Sequence, residues 1–475
     1  MVNKLMILGM DGLDFDVIQK YKDSLPNLEG MLEANGMPRM NSIFPADTTP
    51  AWSTVYLGVD PTYHGIVNFI NAGDKNNAYK PLVFDDSAFK GKTFWDAFNE
   101  KGISTAVILP MNIKMGWEIK GLMITRPFGG HMHVYPESKR PIYQPNEKIL
   151  GTDAKFTSAK KLGKLEQLFL DKADEEIRLT ELAASHENVD VLFSYLSTPD
   201  GVQHDFWSYC DEQHKDFVPG NPYADAILAI YKKMDSLIGD MRKAYPSLPL
   251  LVISDHGHGA RPVKTVRLNE ILRREGYLTP KKKAENGKTK KHSLKSFLFK
   301  TVRKVGLSKG LVNLLKRFPI WKKILASSDI IDWDHTTAYL SDLSSVKNYS
   351  YGGIKVSESK KGDDTFCDEI ISRLEKYQVD GHPLFTWIRR TNAFYHGPYL
   401  SKYPEIIFQM DEAYGAGWDL GKDLFVDDGS VHMISPGGHR YATATICTAN
   451  YRLPKQQWDL VEMRSLITSI VLSNN

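Results

Sequence analysis

Five short apolar runs punctuate the chain: LMILGM (5–10), TAVILP (105–110), VDVLFSYL (189–196), PLLVISDHG (249–257) and TATICTAN (443–450). None alternates apolar with polar residues, which is the pattern of strands buried on both faces rather than one. Helix-like stretches lie between several of them, among them Thr93 to Gly102 and Ala173 to Glu187. This rhythm predicts an α/β fold: a mostly parallel central sheet with helices on both faces. No fixed-period repeat is present. MILGMDG lacks the spacing G-x-G-x-x-G, and no G-x-x-x-x-G-K-[ST] occurs, which argues against the usual dinucleotide and P-loop sites.

The composition fits that reading. Of 475 residues 42% are hydrophobic, enough for a sizeable core, and the 25% that are charged match an ordinary soluble chain. No window approaches the roughly 18 uninterrupted apolar residues of a membrane-spanning helix. The N-terminal MVNKLMILGMDG holds a short apolar run ending in an acid. It reads as a first strand rather than a secretory signal, so the expected location is cytoplasmic. Cys210, Cys367 and Cys447 are too few and too scattered for a disulfide framework or a thiolate metal cluster.

Charge changes the picture. From Lys281 to Lys323 thirteen lysines and two arginines face one glutamate, a charge of +14, which leaves −11 for the rest of a chain whose total is +3. KKKAENGKTKKH reads as a polar loop. The following SLKSFLFKTVRKVGLSKGLVNLLKRFPIWKKIL has apolar residues every three or four positions, as in basic amphipathic helices. The domain reading is a core over 1–280 and 328–475 with cap elements, interrupted by a basic helical insertion at 281–327. The insertion has three readings: contact with an anionic surface of lipid or nucleic acid, a lid over an anionic substrate, or a solvated helical segment packed on the core.

Open α/β sheets bind ligands outside the carboxyl ends of their strands. Asp11 follows the first run. Asp200 and His204 follow the third in STPDGVQHDFW, Asp255 and His256 follow the fourth, and His439 in GGHRYA precedes the last. Singly, an aspartate after a strand ordinarily caps a helix or turns the chain. Together, three aspartates and three histidines supply oxygen and nitrogen without thiolate, a set suited to zinc, manganese or similar divalent ions. Two ions sharing six protein ligands suit phosphoryl transfer. Asp200 and His204 are four apart and would share one helical face. Beyond the fourth strand, a glycine-rich turn (DHGHG) would let Asp255 and His256 converge. His258 in that turn is a further candidate ligand, with an outer supporting role or simple exposure as the other readings.

Such a site needs a nucleophile. SIFPADTTPAWSTVYLGVDPTYHGI places Thr48 and Thr49 before Pro50 and an apolar helical pattern through Gly58. Proline is favoured in a first helical turn, and threonine before it is a good N-cap. A hydroxyl there sits where helix amides favour an anion. The plainer reading makes both threonines capping residues only.

The ordered set MDG, TTPAW…LG…P…HGI, PDGVQH, SDHG and GGHR resembles the alkaline phosphatase superfamily. Within it, the chain is similar to the type I phosphodiesterase and nucleotide pyrophosphatase family, with matching motifs from residue 5 to about residue 448. The resemblance implies one metal held by Asp200, His204 and His439, and a second held by Asp11, Asp255 and His256, with Thr48 bridging toward it. It implies two divalent ions, zinc or alternatively manganese. It places the nucleophile on Thr48, with Thr49 as runner-up. The implied reaction is hydrolysis of phosphate diesters or pyrophosphate bonds in two in-line steps, through a phospho-threonine. The implied substrate is a phosphorylated small molecule, nucleotide or lipid-like.

The chain also departs from the pattern. Nucleotide pyrophosphatases of the family place an Asn three residues after the nucleophile, where this chain has Ala51. The oxyanion would then rely on the metals and the Thr49 amide, making Thr49 a substrate-binding residue. No cysteine lies in a Cys-x-Pro-x-Arg context, which argues against a sulfatase. The serine nucleophile of the phosphatases and cofactor-independent mutases is also missing at this position. Residues 68–160 read as loop-rich, with His131 and His133 either lining the pocket or lying on a surface loop. Residues 340–432 are rich in aromatic residues and read as part of a cap. Two alternatives stand beside the diesterase: a phosphomonoesterase acting on a sugar or lipid phosphate, and a non-catalytic binding protein of the same fold. The second is weakened because all six ligand positions hold Asp or His.

Overall fold

The computed structural model describes residues 1–67, 85–127, 131–151, 161–281, 331–341, 343, 349–427 and 435–473. Its centre is a seven-stranded sheet in the order Ile446–Ala449, Leu250–Ile253, Val2–Met10, Val189–Leu196, Thr105–Ile108, Gly121–Ile124, Val134–Tyr135. The five inner strands are mutually parallel, and the two edge strands run antiparallel. All five apolar runs are strands of this sheet. The last one is shorter than the run, and its direction is the reverse of its neighbour's.

The lack of alternation in these strands has the expected cause: both faces are covered. Met6, Leu8 and Met10 point into a core with the helices Pro26–Ala34, Leu162–His186 and Ala226–Ala244. Leu5 and Ile7 point the other way, toward Trp52, Tyr56, Trp95 and Ile467 of the helices Thr48–Leu57, Phe94–Glu100 and Met463–Ser473. Side chains two apart on a strand share a face, so each buried strand feeds two cores at once. Helices predicted at Thr93 to Gly102 and Ala173 to Glu187 are present, the second extended back to Leu162.

A second, antiparallel sheet joins Ala338–Leu340, Tyr351–Val356, Ile406–Met410 and Phe385–Arg390 in that order. The helix Asp364–Leu374 packs on it through Cys367, Ile370 and Leu374. Its other face carries Tyr351 and Ile407 into an aromatic cluster with Phe44, Tyr349, Tyr395 and Tyr403. Residues 282–330, which hold nearly all of the basic insertion, lie outside the described residues. Among the described residues no helix is long and apolar enough to cross a membrane.

Candidate active site

The acids and histidines gather at one edge of the central sheet because the strands deliver them there. Asp11 directly follows Val2–Met10. Asp200 and His204 lie on the helix Thr198–Cys210, which follows Val189–Leu196, and Asp255 and His256 follow Leu250–Ile253. His439 comes from a strand start, yet it reaches the same edge. The strand after it, Ile446–Ala449, is antiparallel, so its beginning lies where the parallel strands end. DHGHG bends at Asp255 and His256, as expected, but from Gly257 it continues as a strand rather than a turn. Residues Gly257–Ala260 form a short ladder with Gly437–Arg440, in which His439 stands opposite His258. Close approach needs glycine at Gly437, where an added Cβ would lie 2.2 Å from Gln203 O and 2.6 Å from His258 Nε2.

The helix carrying Asp200 and His204 is capped from outside. Its N-cap Ser197 makes no side-chain cap bond. Instead Glu176, fully buried on the long helix Leu162–His186, accepts from Ser197 N at 3.0 Å, Ser197 Oγ at 2.6 Å and Thr198 Oγ1 at 2.7 Å. An anion at a helix N-terminus satisfies its free amides and its dipole.

Backbone carbonyls set the histidine tautomers. His204 Nδ1 donates to Gly437 O at 3.1 Å, His256 Nδ1 to Gly257 O at 3.0 Å, and His439 Nδ1 to Ala46 O at 2.8 Å. All three Nε2 atoms therefore present lone pairs to the cluster. His204 Nε2 and His439 Nε2 meet at 3.0 Å. Asp200 Oδ1 is 3.4 Å from His204 Nε2 and 3.5 Å from His439 Nε2. His256 Nε2 is 3.3 Å from Asp255 Oδ2 and 3.5 Å from Asp11 Oδ1. Asp11 Oδ1, Asp200 Oδ1 and Asp255 Oδ2 are buried and make no hydrogen bond. Lone pairs facing lone pairs at these distances repel unless a cation lies between them, and outer carbonyls holding Nδ1–H are the usual support of a metal-ligating histidine. Three overlapping groups have ligand atoms within 4.8 Å of one another: Asp200, His204 and His258; Asp200, His256 and His439; Asp11, Asp255 and His256.

The electrostatics say the same. Burial, followed by the neighbouring carboxylates, pushes Asp11 and Asp255 well above the usual carboxyl range. Burial pushes His204 and His256 well below the usual imidazole range, so they are neutral. Asp200 is the exception. Burial raises it, but its contacts with His204, His258 and His439 outweigh burial and hold it well below. Without a cation, burial and mutual repulsion disfavour charge on Asp11 and Asp255, whereas a bound cation would favour all three as carboxylates.

Thr48 stands beside this cluster. It is the first residue of the helix Thr48–Leu57, whose N-cap is Asp47, and Gly58 closes it in the left-handed conformation. The expectation that a threonine caps the helix is thus corrected: both threonines lie inside the first turn, which leaves their amides without intrahelical acceptors. Thr48 Oγ1 is 3.1 Å from His256 Nε2. Thr49 is buried one residue further on, and its carbonyl accepts from Ser53 Oγ and Asn112 Nδ2, both at 2.8 Å. Trp52 anchors the helix edge-on against Tyr195, ring centroids 5.2 Å apart. The antiparallel sheet side holds the approach to Thr48: Tyr351 donates to Ala46 O at 3.0 Å, and Tyr395 and Tyr403 donate to Phe44 O at 3.0 and 2.8 Å.

Of the residues expected at the site, Asp11, Thr48, Asp200, His204, Asp255, His256 and His439 come together. His131 is exposed, and His133 is half-buried and stacked on Tyr135. Neither belongs to the ligand groups. His258 is not exposed: its side chain is fully buried against Asp200. Four neighbours escaped the sequence reading. Tyr195 hydrogen-bonds Asp11 Oδ2. Asp14 accepts from His258 N at 2.9 Å. Glu176 caps the ligand helix, and the Arg126 guanidinium lies 3.7 Å from Glu176 and over the Tyr195 ring. Arg126 follows GLMIT, an apolar run that marks a strand end as the other runs do; the other three carry no comparable local signal.

A parallel sheet with helices on both faces thus carries, at its carboxyl edge, an Asp/His cluster that could hold metal ions, and the family to which the chain belongs is one of hydrolases. The chain belongs to the type I phosphodiesterase / nucleotide pyrophosphatase family, whose model matches residues 5–310. That match ends before His439, which joins the cluster on geometry alone. Phosphonoacetate hydrolase from Sinorhizobium meliloti 1021, solved in complex with phosphonoformate, is similar with a TM-score of 0.53 at 12% identity, over 99% of this chain and 96% of that one. Human ectonucleotide pyrophosphatase / phosphodiesterase 5 gives 0.50 at 16% identity, over 99% and 95%. An inactive variant of the murine protein, in complex with AMP, gives 0.49 at 13% identity over the same shares. At such identities the likeness is one of fold. No curated protein matches the sequence.

Proposed function

We propose that the protein hydrolyses phosphate diesters or pyrophosphate bonds through a phospho-threonine on Thr48, at a site for two divalent ions. The observation that carries this reading is the Thr48 hydroxyl, 3.1 Å from His256 Nε2 at the open end of a helix, beside three carboxylates whose inward oxygens lack partners. Asp200, His204 and His439 would hold one ion, and Asp11, Asp255 and His256 the other. Oxygen and imidazole donors without thiolate favour zinc, with manganese as the alternative. Two such ions would offset the carboxylate charge, polarise the phosphoryl oxygens and lower the pKa of the threonine hydroxyl.

The chain's own residues do the rest. Thr48 Oγ1 gives up its proton and attacks phosphorus in line with the leaving oxygen, which departs with the electron pair of the broken P–O bond and takes up a proton from water. Water then attacks the phospho-threonine and releases phosphate or a phosphomonoester, restoring the hydroxyl. The amides of Thr48 and Thr49 point from the helix N-terminus toward a phosphoryl oxygen, a role for Thr49 that involves its backbone. Ala51 offers no side-chain donor, so this backbone contact carries the oxyanion. Tyr351, Tyr395 and Tyr403 keep the Phe44–Asp47 approach fixed. We assign the antiparallel sheet and its aromatic cluster to a cap that selects the substrate, and the +14 segment to attraction of its anionic part.

The test is direct. Brief incubation with bis-p-nitrophenyl phosphate and zinc or manganese, quenched in acid, should leave a phosphoryl adduct on the peptide containing Thr48. Thr48→Ala should lose the adduct and keep its metals. An adduct on Thr49 moves the nucleophile by one. Faster turnover of p-nitrophenyl phosphate than of the diester makes the protein a phosphomonoesterase, and no turnover of either by the metal-loaded protein leaves a binding protein.

A further inference from the structure

His258 takes no part in the reaction just described, yet its surroundings are unusual. The side chain is fully buried, Nε2 has no hydrogen-bond partner, and Nδ1 has only Asp200 Oδ1 at 3.2 Å, outside good hydrogen-bond geometry. A buried polar atom without a partner is uncommon and calls for an explanation. Its backbone N–H is engaged by Asp14 Oδ2 at 2.9 Å, and its ring stacks on Trp207 with centroids 5.8 Å apart. The backbone and the ring are thus both held, while Nε2 has no partner and Nδ1 faces a single carboxylate oxygen. Gly437 leaves only enough room for the ring edge.

Nδ1 points at Asp200. It lies 3.2 Å from Asp200 Oδ1, the same oxygen that is 3.4 Å from His204 Nε2 and 3.5 Å from His439 Nε2. His204 Nε2 and His439 Nε2 are 3.0 Å apart, and His258 shares a ligand group with Asp200 and His204. Donor atoms around a tetrahedral ion with bonds of about 2.0–2.1 Å are separated by about 3.3–3.4 Å. The four measured separations scatter about that edge length. We infer that His258 Nδ1 is a fourth protein ligand of the ion held by Asp200, His204 and His439, a contact that the three-ligand description of that position omits.

This rests on the two-metal reading and adds a consequence to it. The two positions become unequal: one ion is held by four protein donors, the other by Asp11, Asp255 and His256. The four-donor ion should resist chelation longer. It has to expand its coordination, or release His258, when a phosphoryl oxygen binds.

Two measurements test this. In the first, the full-length dicobalt(II) protein is examined by proton NMR in water, counting hyperfine-shifted resonances from imidazole N–H that vanish in deuterium oxide. Four ligand histidines give four such signals, and three signals overturn the inference. In the second, the dizinc protein is dialysed against dipicolinate and metal content is followed by mass spectrometry. The wild type should lose its ions in two phases. His258→Ala should speed the slower phase at least about tenfold and leave the faster one alone, with His258→Asn intermediate because its Oδ1 can stand near the Nδ1 position. A slow phase unchanged in His258→Ala overturns the inference while the two-metal site survives. A wild type that takes up no ions overturns both. Should His258→Ala fail to fold, the wild-type count of N–H signals decides alone.

Discussion

The two ends of the ligand cluster are built from different materials. At one end Asp11, Asp255 and His256 have side chains at most 3% exposed, and two carboxylates crowd one imidazole. At the other, Asp200 and His204 remain 17% and 24% exposed, and a single carboxylate is surrounded by imidazoles. The buried, acid-rich end pushes its carboxyls upward, while the histidine-rich end holds Asp200 down. Burial alone therefore does not set the behaviour of a carboxylate here; whether acids or histidines face it does. At the deep end a proton or a cation would relieve the mutual repulsion of the two buried carboxylates. The other end is the more open to solvent.

Five substitutions break or sharpen this contrast. Thr48→Ala should have the largest effect, a loss of turnover of about ten-thousand-fold or more with both ions kept, read by steady-state rates and metal analysis. Next comes Asp200→Asn. Asp200 is the one carboxylate among the imidazoles of its end, so the change should weaken the ion assigned to Asp200, His204 and His439 by at least about a hundredfold, whereas Asp11→Asn should weaken the other; isothermal titration with zinc separates the cases. Glu176→Gln leaves the ligands in place but weakens the cap under Asp200 and His204. We expect a stability loss of about 1–3 kcal/mol in denaturant titration. Ion affinity should fall about tenfold at the histidine-rich end only.

The smallest effect concerns pH. Burial raises the Asp14 carboxyl from 3.8 to about 6. The folded state thus binds this proton more tightly than the unfolded chain. The linked stability is complete below pH 3.8 and is lost as pH rises toward about 6. In metal-free protein Asp14→Asn should remove a downward slope of about 1.4 kcal/mol per pH unit within that window, seen as the difference between two urea titration series. An unchanged slope would place the titration elsewhere.

Local patterns determined much of this molecule. The five apolar runs named strands of the central sheet, since lack of alternation follows from burial on both faces. The residues just past three of those runs supplied five of the six acids and histidines expected as ligands, because strand ends deliver side chains to one edge. The four-residue spacing of Asp200 and His204 needed only a helix, which formed. Tertiary structure alone decided the rest. Ile446–Ala449 turned out to be antiparallel, which brings His439 to the edge from a strand start, a direction that an isolated run does not encode. Glu176 is 21 residues from Ser197, and Ala46 is 393 from His439, so no local pattern links cap to helix or carbonyl to imidazole. From Gly257 DHGHG became a strand rather than a turn only because Gly437–Arg440 arrived to pair with it, and that pairing buried His258 against Asp200. Identities of chemical groups are written residue by residue, but tautomer, burial and contact depend on which distant segments share the space.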